Sequence, residues 1–226
     1  MNKIFYPLLS AILFFTNCKN AVEKTPNQTT PTVEKTAVQK KNIVFFGNSL
    51  TAGYGLENVA DGFVSLTQNR MDSLNLPYRC INAGLSGETT AGGSERVGWI
   101  IDQQPVDIFI LELGGNDALR GINPESSLQN LQTIIDKVKA KHPSVKIILA
   151  GMEAPRNMGK SYITAFHDIY QTLAKKNNLP LIPFILDKVG GIKELNQADG
   201  IHPTPQGNKI IVETIWMSLK PLLVTR

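Results

Sequence analysis

Five short apolar runs punctuate the chain, and after each of the first four come apolar positions that recur every three or four residues. Asn42 to Phe46 (NIVFF) is β-branched and aromatic and stops at Gly47, the profile of a buried strand. Tyr78 to Ile81, Asp107 to Leu113 (DIFILEL), Lys146 to Ala150 (KIILA) and Leu179 to Ile182 read the same way. Helical spacing falls between them, over Gly62 to Ser73, Thr90 to Asp102, a stretch opening at Pro124, and Ser161 to Lys176. The stretch from Pro124 carries Leu128, Leu131, Ile134, Ile135 and Val138 on one face. A last helix opens with Thr204 as N-cap and Pro205 at its first position and runs to Lys220. Strands alternating with helices predict parallel pairing through right-handed crossovers. The expected fold is a three-layer α/β/α sandwich around a five-stranded parallel sheet.

The first 41 residues do not share this pattern. Ile4 to Phe15 is apolar apart from Pro7 and Ser10, too short for a span of roughly 20 residues but fitting the central region of a secretory signal, about 7–15 long. Phe15-Thr16-Asn17-Cys18 follows, and a cysteine there resembles the lipid-attachment site of bacterial lipoproteins. The usual pattern has Leu three residues before the cysteine and Gly, Ala or Ser directly before it; Phe15 and Asn17 depart from it. Residues 19–41 are rich in Thr, Lys, Gln and Pro, with little to bury, and read as a disordered tether of about 25–30 Å span. The expected organisation is a signal over 1–18, a tether over 19–41 and one domain over 42–226. That places the protein on a bacterial cell envelope, exported and anchored to a membrane through Cys18, facing the periplasm or the cell surface.

Charge sharpens this division. The whole chain is +4, and residues 1–41 hold six lysines against two glutamates, which leaves the domain neutral. A neutral domain without a basic run offers little to a phosphate backbone, so nucleic acid is not an expected partner. Two cysteines and three histidines without ligand spacing predict no metal.

Candidate chemistry gathers in loops beyond the carboxyl ends of the strands, where such sheets place ligands. Ser49 follows Gly47-Asn48 past the first strand, where its hydroxyl and N–H both face the cleft; an ordinary N-cap is the alternative. The second loop, Asn82 to Gly93, holds Gly87 among glycines that permit close approach of a ligand or simply make turns. The third, Gly114-Gly115-Asn116-Asp117, sets the Asn116 amide beside the cleft, unless it bonds its own backbone. Before the last helix, Asp199 and His202 stand three residues apart across a bend, so the carboxylate can accept the Nδ1 proton while Nε2 points outward. His142 and His167 read as a helix-terminus and a helix-surface residue. Together these loops hold a nucleophile, a base, an orienting acid and oxyanion donors, the requirements of acyl transfer.

GNSLTAGYGL, NAGLSGET, LGGNDALRG and DGIHPT also resemble the four blocks of the SGNH (GDSL) hydrolases, in the same order. With GMEAPRNMG after the fourth strand, the chain is similar to the bacterial group of multifunctional thioesterases, lysophospholipases and arylesterases. The resemblance implies a flavodoxin-like sheet and a serine esterase that hydrolyses small-molecule or lipid acyl esters as a monomer, without a cofactor. It implies Ser49 as nucleophile, His202 as base, Asp199 as orienting acid, and Ser49, Gly87 and Asn116 as the oxyanion hole. One residue departs from the family: aspartate is usual directly before the serine, and this chain has Asn48, which keeps the size and an acceptor oxygen but removes a charge, so activity is expected to survive with the local hydrogen bonds and pH optimum changed. Leu119, Ile122 and Met158 are the expected apolar contacts of the acyl chain, from their loop positions. Two rivals are a carbohydrate O-acetyl esterase of the same fold and a non-catalytic lipid- or glycan-binding lipoprotein with a decayed site.

Overall fold

The computed structural model describes residues 39–223. The expectations for the leader, Cys18 and nearly all of the tether fall on residues outside that range. Five strands, β1 (Lys41–Gly47), β2 (Tyr78–Gly84), β3 (Ile108–Glu112), β4 (Lys146–Ala150) and β5 (Leu181–Ile182), form one sheet in the order β2-β1-β3-β4-β5. Every pairing is parallel. Around it lie α1 (Ser49–Ala52), α2 (Phe63–Ser73), α3 (Thr90–Asp102), α4 (Gly115–Leu119), α5 (Pro124–Lys141), α6 (Lys160–Asn177) and α7 (Pro205–Leu219). Three helices pack in series on one face, α3 on α5 and α5 on α6; α2 pairs with α7 on the other.

The central strands β1 and β3 are buried on both faces, which is why they read as continuous apolar runs. Phe45 and Phe46 point to opposite faces, Phe45 against Phe63 of α2 and Phe46 against Phe109. From β1 the chain steps outward to β2, then crosses back through α3 to place β3 on the far side of β1. That reversal opens a crevice above β1 and β3.

Some boundaries differ from expectation, each for a local reason. β1 takes in Lys41, whose N–H donates to Pro77 O at 2.8 Å. β2 continues through Asn82 to Gly84, paired residue for residue with Phe45 to Gly47. β5 is shorter than the run from Leu179: Asn178 takes the left-handed conformation (φ 53°) that ends α6, and Leu179 N–H still bonds to Ala174 O. Pro180 then has no N–H to give the ladder. Two short helices, α1 and α4, occupy what the sequence shows only as glycine-punctuated loops.

Candidate active site

Gly47 ends β1 and Ser49 begins α1, so one residue separates strand from helix. A side chain at Gly47 would collide with Thr51 and Glu112, so this turn admits only glycine. Asn48 is the N-cap: its Oδ1 accepts the Leu50 N–H at 3.0 Å, and its Nδ2 donates to Glu112 Oε1 at 2.9 Å. Ser49 is therefore not the cap but the first helical residue, a position whose N–H has no acceptor within the helix.

The histidine arrives on the loop between Asn196 and Thr204. Gln197 closes it, donating its N–H to His202 O at 2.7 Å and its Nε2 to Pro203 O at 3.0 Å. The same Nε2 reaches Tyr54 O at 2.8 Å, fastening this loop to the segment after α1. Asp199 Oδ1 accepts the N–H groups of Ile201 (2.9 Å) and His202 (3.0 Å), and Oδ2 accepts the His202 Nδ1 proton at 2.6 Å. With Nδ1 protonated, neutral His202 keeps a lone pair on Nε2, which lies 2.8 Å from Ser49 Oγ. The hydrogen bond from His202, followed by the two backbone donors, lowers the Asp199 carboxyl to about 2, so it stays ionised. Tyr54 covers one side of the imidazole.

The second and third loops are tied to each other. Asn116 Nδ2 donates to Glu88 O at 2.9 Å, which fixes the amide plane and leaves its second proton to the cleft. Gly87 has φ +80°, a left-handed conformation, and its carbonyl is taken by Arg120 Nη2 at 3.0 Å. Below it, buried Glu88 receives Arg96 Nε and Nη2, both at 2.6 Å, and Arg96 also lies over the Phe46 ring. Fully buried Asp117 gathers Thr90 N–H (2.9 Å), Thr90 Oγ1 (2.5 Å) and Ser127 Oγ (3.0 Å), joining α3, α4 and α5. These anchors belong to folded scaffold, which is what a pre-organised donor set requires.

All four loops open on one cleft of about 880 Å³. Ser49, Gly87, Asn116, Asp199 and His202 line it together, and Leu119, Met152, Phe184, Leu186 and Ile192 supply much of its apolar wall. Leu119 is thus on the cleft as expected, but Ile122 and Met158 are not among its lining residues. Both serve the loop from behind. Ile122 donates its N–H to Asp117 O and receives the Tyr162 hydroxyl on its carbonyl, while Met158 packs against Gly121. His142 caps α5 with Nε2 at 2.9 Å from Ile101 O, and His167 is exposed on α6, both away from the cleft. Burial pushes the Cys80 thiol up to about 12, which leaves it inert. Among the described residues, no cluster of His, Cys, Asp or Glu is arranged to hold a metal ion, and no helix is long and apolar enough to cross a membrane.

Sequence reasoning missed three contributors, Tyr54, Gln197 and Glu112. Only Glu112 carried a signal: a carboxylate closing the apolar run of the third strand.

Residues 45–210 match the model of the GDSL-like Lipase/Acylhydrolase family. Esterase TesA of Pseudomonas aeruginosa is 38% identical over 183 residues, covering 81% of this chain and 90% of that protein. "Thioesterase 1/protease 1/lysophospholipase L1" of Escherichia coli is 33% identical, covering 83% and 87%. The psychrotrophic esterase EstA from Pseudoalteromonas sp., in a structure inhibited by monoethylphosphonate, superimposes with a TM-score of 0.75 at 28% identity, covering 80% of this chain and 98% of that one. The chain belongs to the GDSL-like lipase/acylhydrolase family and is a serine esterase.

Proposed function

We propose that Ser49, His202 and Asp199 carry the hydrolysis. The observation behind this assignment is the unbroken chain from Ser49 Oγ through the imidazole to the Asp199 carboxylate, 2.8 and 2.6 Å long. His202 Nε2 takes the Ser49 proton as Oγ attacks the acyl carbonyl. The tetrahedral oxyanion is met by the N–H groups of Ser49 and Gly87 and by Asn116 Nδ2. Asp199, ionised across the working pH range, steadies the imidazolium that forms. The imidazolium then protonates the leaving group, and water hydrolyses acyl-Ser49 with His202 again as base.

The preferred substrates are esters with an extended acyl chain, arylesters, lysophospholipids and acyl thioesters among them. Supporting this is the apolar wall of Met152, Phe184, Leu186 and Ile192, which an acetyl group would leave uncovered. Such a wall weighs against a sugar O-acetyl esterase. The test is a series of p-nitrophenyl esters of rising chain length, with acyl-CoA, lysophospholipid and acetylated xylan, and Ser49→Ala as control. A kcat/KM that peaks at acetate, or a Ser49→Ala protein that still turns over, overturns the reading.

Residues 1–18 direct export and Cys18 takes the lipid, with the following segment as leash. Supporting this is the short apolar run ended by a cysteine. Cys18→Ser is expected to leave the membrane fraction and to incorporate no labelled fatty acid; membrane retention of that variant would refute the anchor.

A further inference from the structure

Under the nucleophile loop lies a carboxylate that the reaction above does not use. Glu112 closes β3, is 1% exposed and pairs in register with Gly47. Its Oε1 accepts Asn48 Nδ2 at 2.9 Å; its Oε2 accepts Thr51 Oγ1 at 2.8 Å and the Asn48 N–H at 3.3 Å. Among the described residues, no lysine or arginine is one of its partners. Tyr170, whose hydroxyl donates to Leu113 O, is held well above its ordinary value by burial, with the charges of Glu112 and Asp117 adding to it. Burial raises Glu112 itself to about 7 against the pull of the Asn48 and Thr51 donors.

The orientation of Asn48 is fixed from both ends. Its amine faces a carboxylate and its oxygen faces the Leu50 N–H, so neither can be exchanged for the other. Ser49 is held between those two bonds. A carboxylate buried without a cation is costly, and here the donors of Asn48 and Thr51, either side of the nucleophile, hold it.

We propose that Glu112 is the positioning residue for Ser49, and that residues 48 and 112 form a latch in which 48 gives a hydrogen and 112 receives it. The proposal rests on the reading of Ser49 as nucleophile. Hydrogen-bond accounting then fixes what each substitution does. In Glu112→Gln the new amine meets a donor whichever way it turns, the Asn48 amine on one side and the Asn48 N–H on the other; turning Asn48 over only moves the conflict to the Leu50 N–H. In Asn48→Asp two carboxyl groups meet where the amide bond was, and the pair is satisfied only while it holds one proton. The exchange Asn48→Asp with Glu112→Gln satisfies every group. The introduced glutamine then gives its amine to the introduced aspartate and keeps its oxygen for Thr51 Oγ1 and the N–H of residue 48. The other oxygen of that aspartate keeps the Leu50 N–H.

The experiment compares the full chain and these three variants for kcat, KM, thermal unfolding and labelling of Ser49 by a reactive phosphonate, from pH 5.5 to 9. Glu112→Gln is expected to lose at least tenfold in kcat (about 1.4 kcal/mol) with KM nearly unchanged. Asn48→Asp is expected to approach wild type at the acid end and fall away as pH rises, because the shared proton is lost in that direction. The exchanged pair recovers kcat to within roughly threefold of wild type and loses that extra pH dependence. A double variant no better than the worse single, or Asn48→Asp with the wild-type profile, overturns the latch. Should Glu112→Gln fail to fold, the Asn48→Asp profile decides alone. Failure of the nucleophile reading looks different: wild type then goes unlabelled by the phosphonate and Ser49→Ala keeps its turnover.

Discussion

The Tyr54 ring lies against the His202 imidazole with centroids 4.7 Å apart and planes tilted by 44°. Tyr54 is more than half exposed, so packing alone does not account for its place. An aromatic face next to an imidazole attracts it more strongly once the ring is charged, and that charge appears in the transition state. At exposed sites the attraction is worth roughly 0.5–1 kcal/mol. Tyr54→Ala is therefore expected to lower kcat by about two- to fivefold, and Tyr54→Phe to leave it nearly intact. Steady-state kinetics on both variants decides the point; equal loss in the two would mean that the hydroxyl matters instead.

Asn116 offers a sharper separation of effects. One of its amide protons is fixed on Glu88 O, and Asn116 lines the cleft with Ser49, where the proposed reaction forms its oxyanion. Asn116→Ala is expected to lower kcat by roughly 10²–10³ with KM little changed, the usual loss for one oxyanion donor. A reactive phosphonate should still label Ser49 slowly in this variant. If melting temperature drops and kcat holds, the amide only braces the two loops.

Asp199 leads to a prediction about pH. Its carboxyl is held at about 2, below the ordinary range, so its charge is lost only as pH falls through that value. Between pH 5 and 9 it carries a constant charge. Asp199→Asn should therefore lower kcat/KM at pH 8 by at least about a hundredfold, from the wrong imidazole tautomer. Turnover within about tenfold of wild type at that pH would show that the carboxylate does not fix the tautomer.

Glu112 behaves in the opposite sense. Its folded value lies near 7, above the ordinary carboxyl value of 4.5, so folding favours its protonated form. Its contribution to stability is therefore full below 4.5 and is lost as pH rises to 7. That difference amounts to roughly 3 kcal/mol. Denaturation of wild type and Glu112→Gln at pH 5, 6, 7 and 8 should show wild type losing ground up to pH 7 and little beyond. A gap that does not vary with pH would mean the carboxyl is already ionised at pH 5.

The strands and helices are legible because burial on both faces of a parallel sheet leaves nothing polar from Ile43 to Phe46 in β1 or from Ile147 to Ala150 in β4 to obscure the run. The loops that meet at the cleft are legible because they set residues of unusual type at sheet ends: Ser49, Gly87, Asn116 and the Asp199–His202 pair. Glu112 escaped notice because a strand tolerates one charge at its end, and nothing in the sequence says that Asn48 will meet it across the β1–β3 pairing. Ile122 and Met158 were placed on the cleft from loop position alone. Sequence distance from Asn116 does not reveal that the Ile122 carbonyl is held by the Tyr162 hydroxyl, away from the residues that line the cleft. Gln197 looks like any polar loop residue until folding brings the Tyr54 carbonyl within reach of its amide.

The parallel sheet puts the loops that line the cleft at one edge and every strand's beginning at the other. Lys41 enters β1 there, and Lys146, at the start of β4, donates to Leu222 O just past α7. β1 and β4 are separated only by β3, two strand spacings or about 10 Å. The two ends of the described residues thus lie together on the side away from the cleft. A host protein that accepts the domain as an insert in a surface loop, or a solid support grafted at that edge, would hold the enzyme with its mouth facing the bulk.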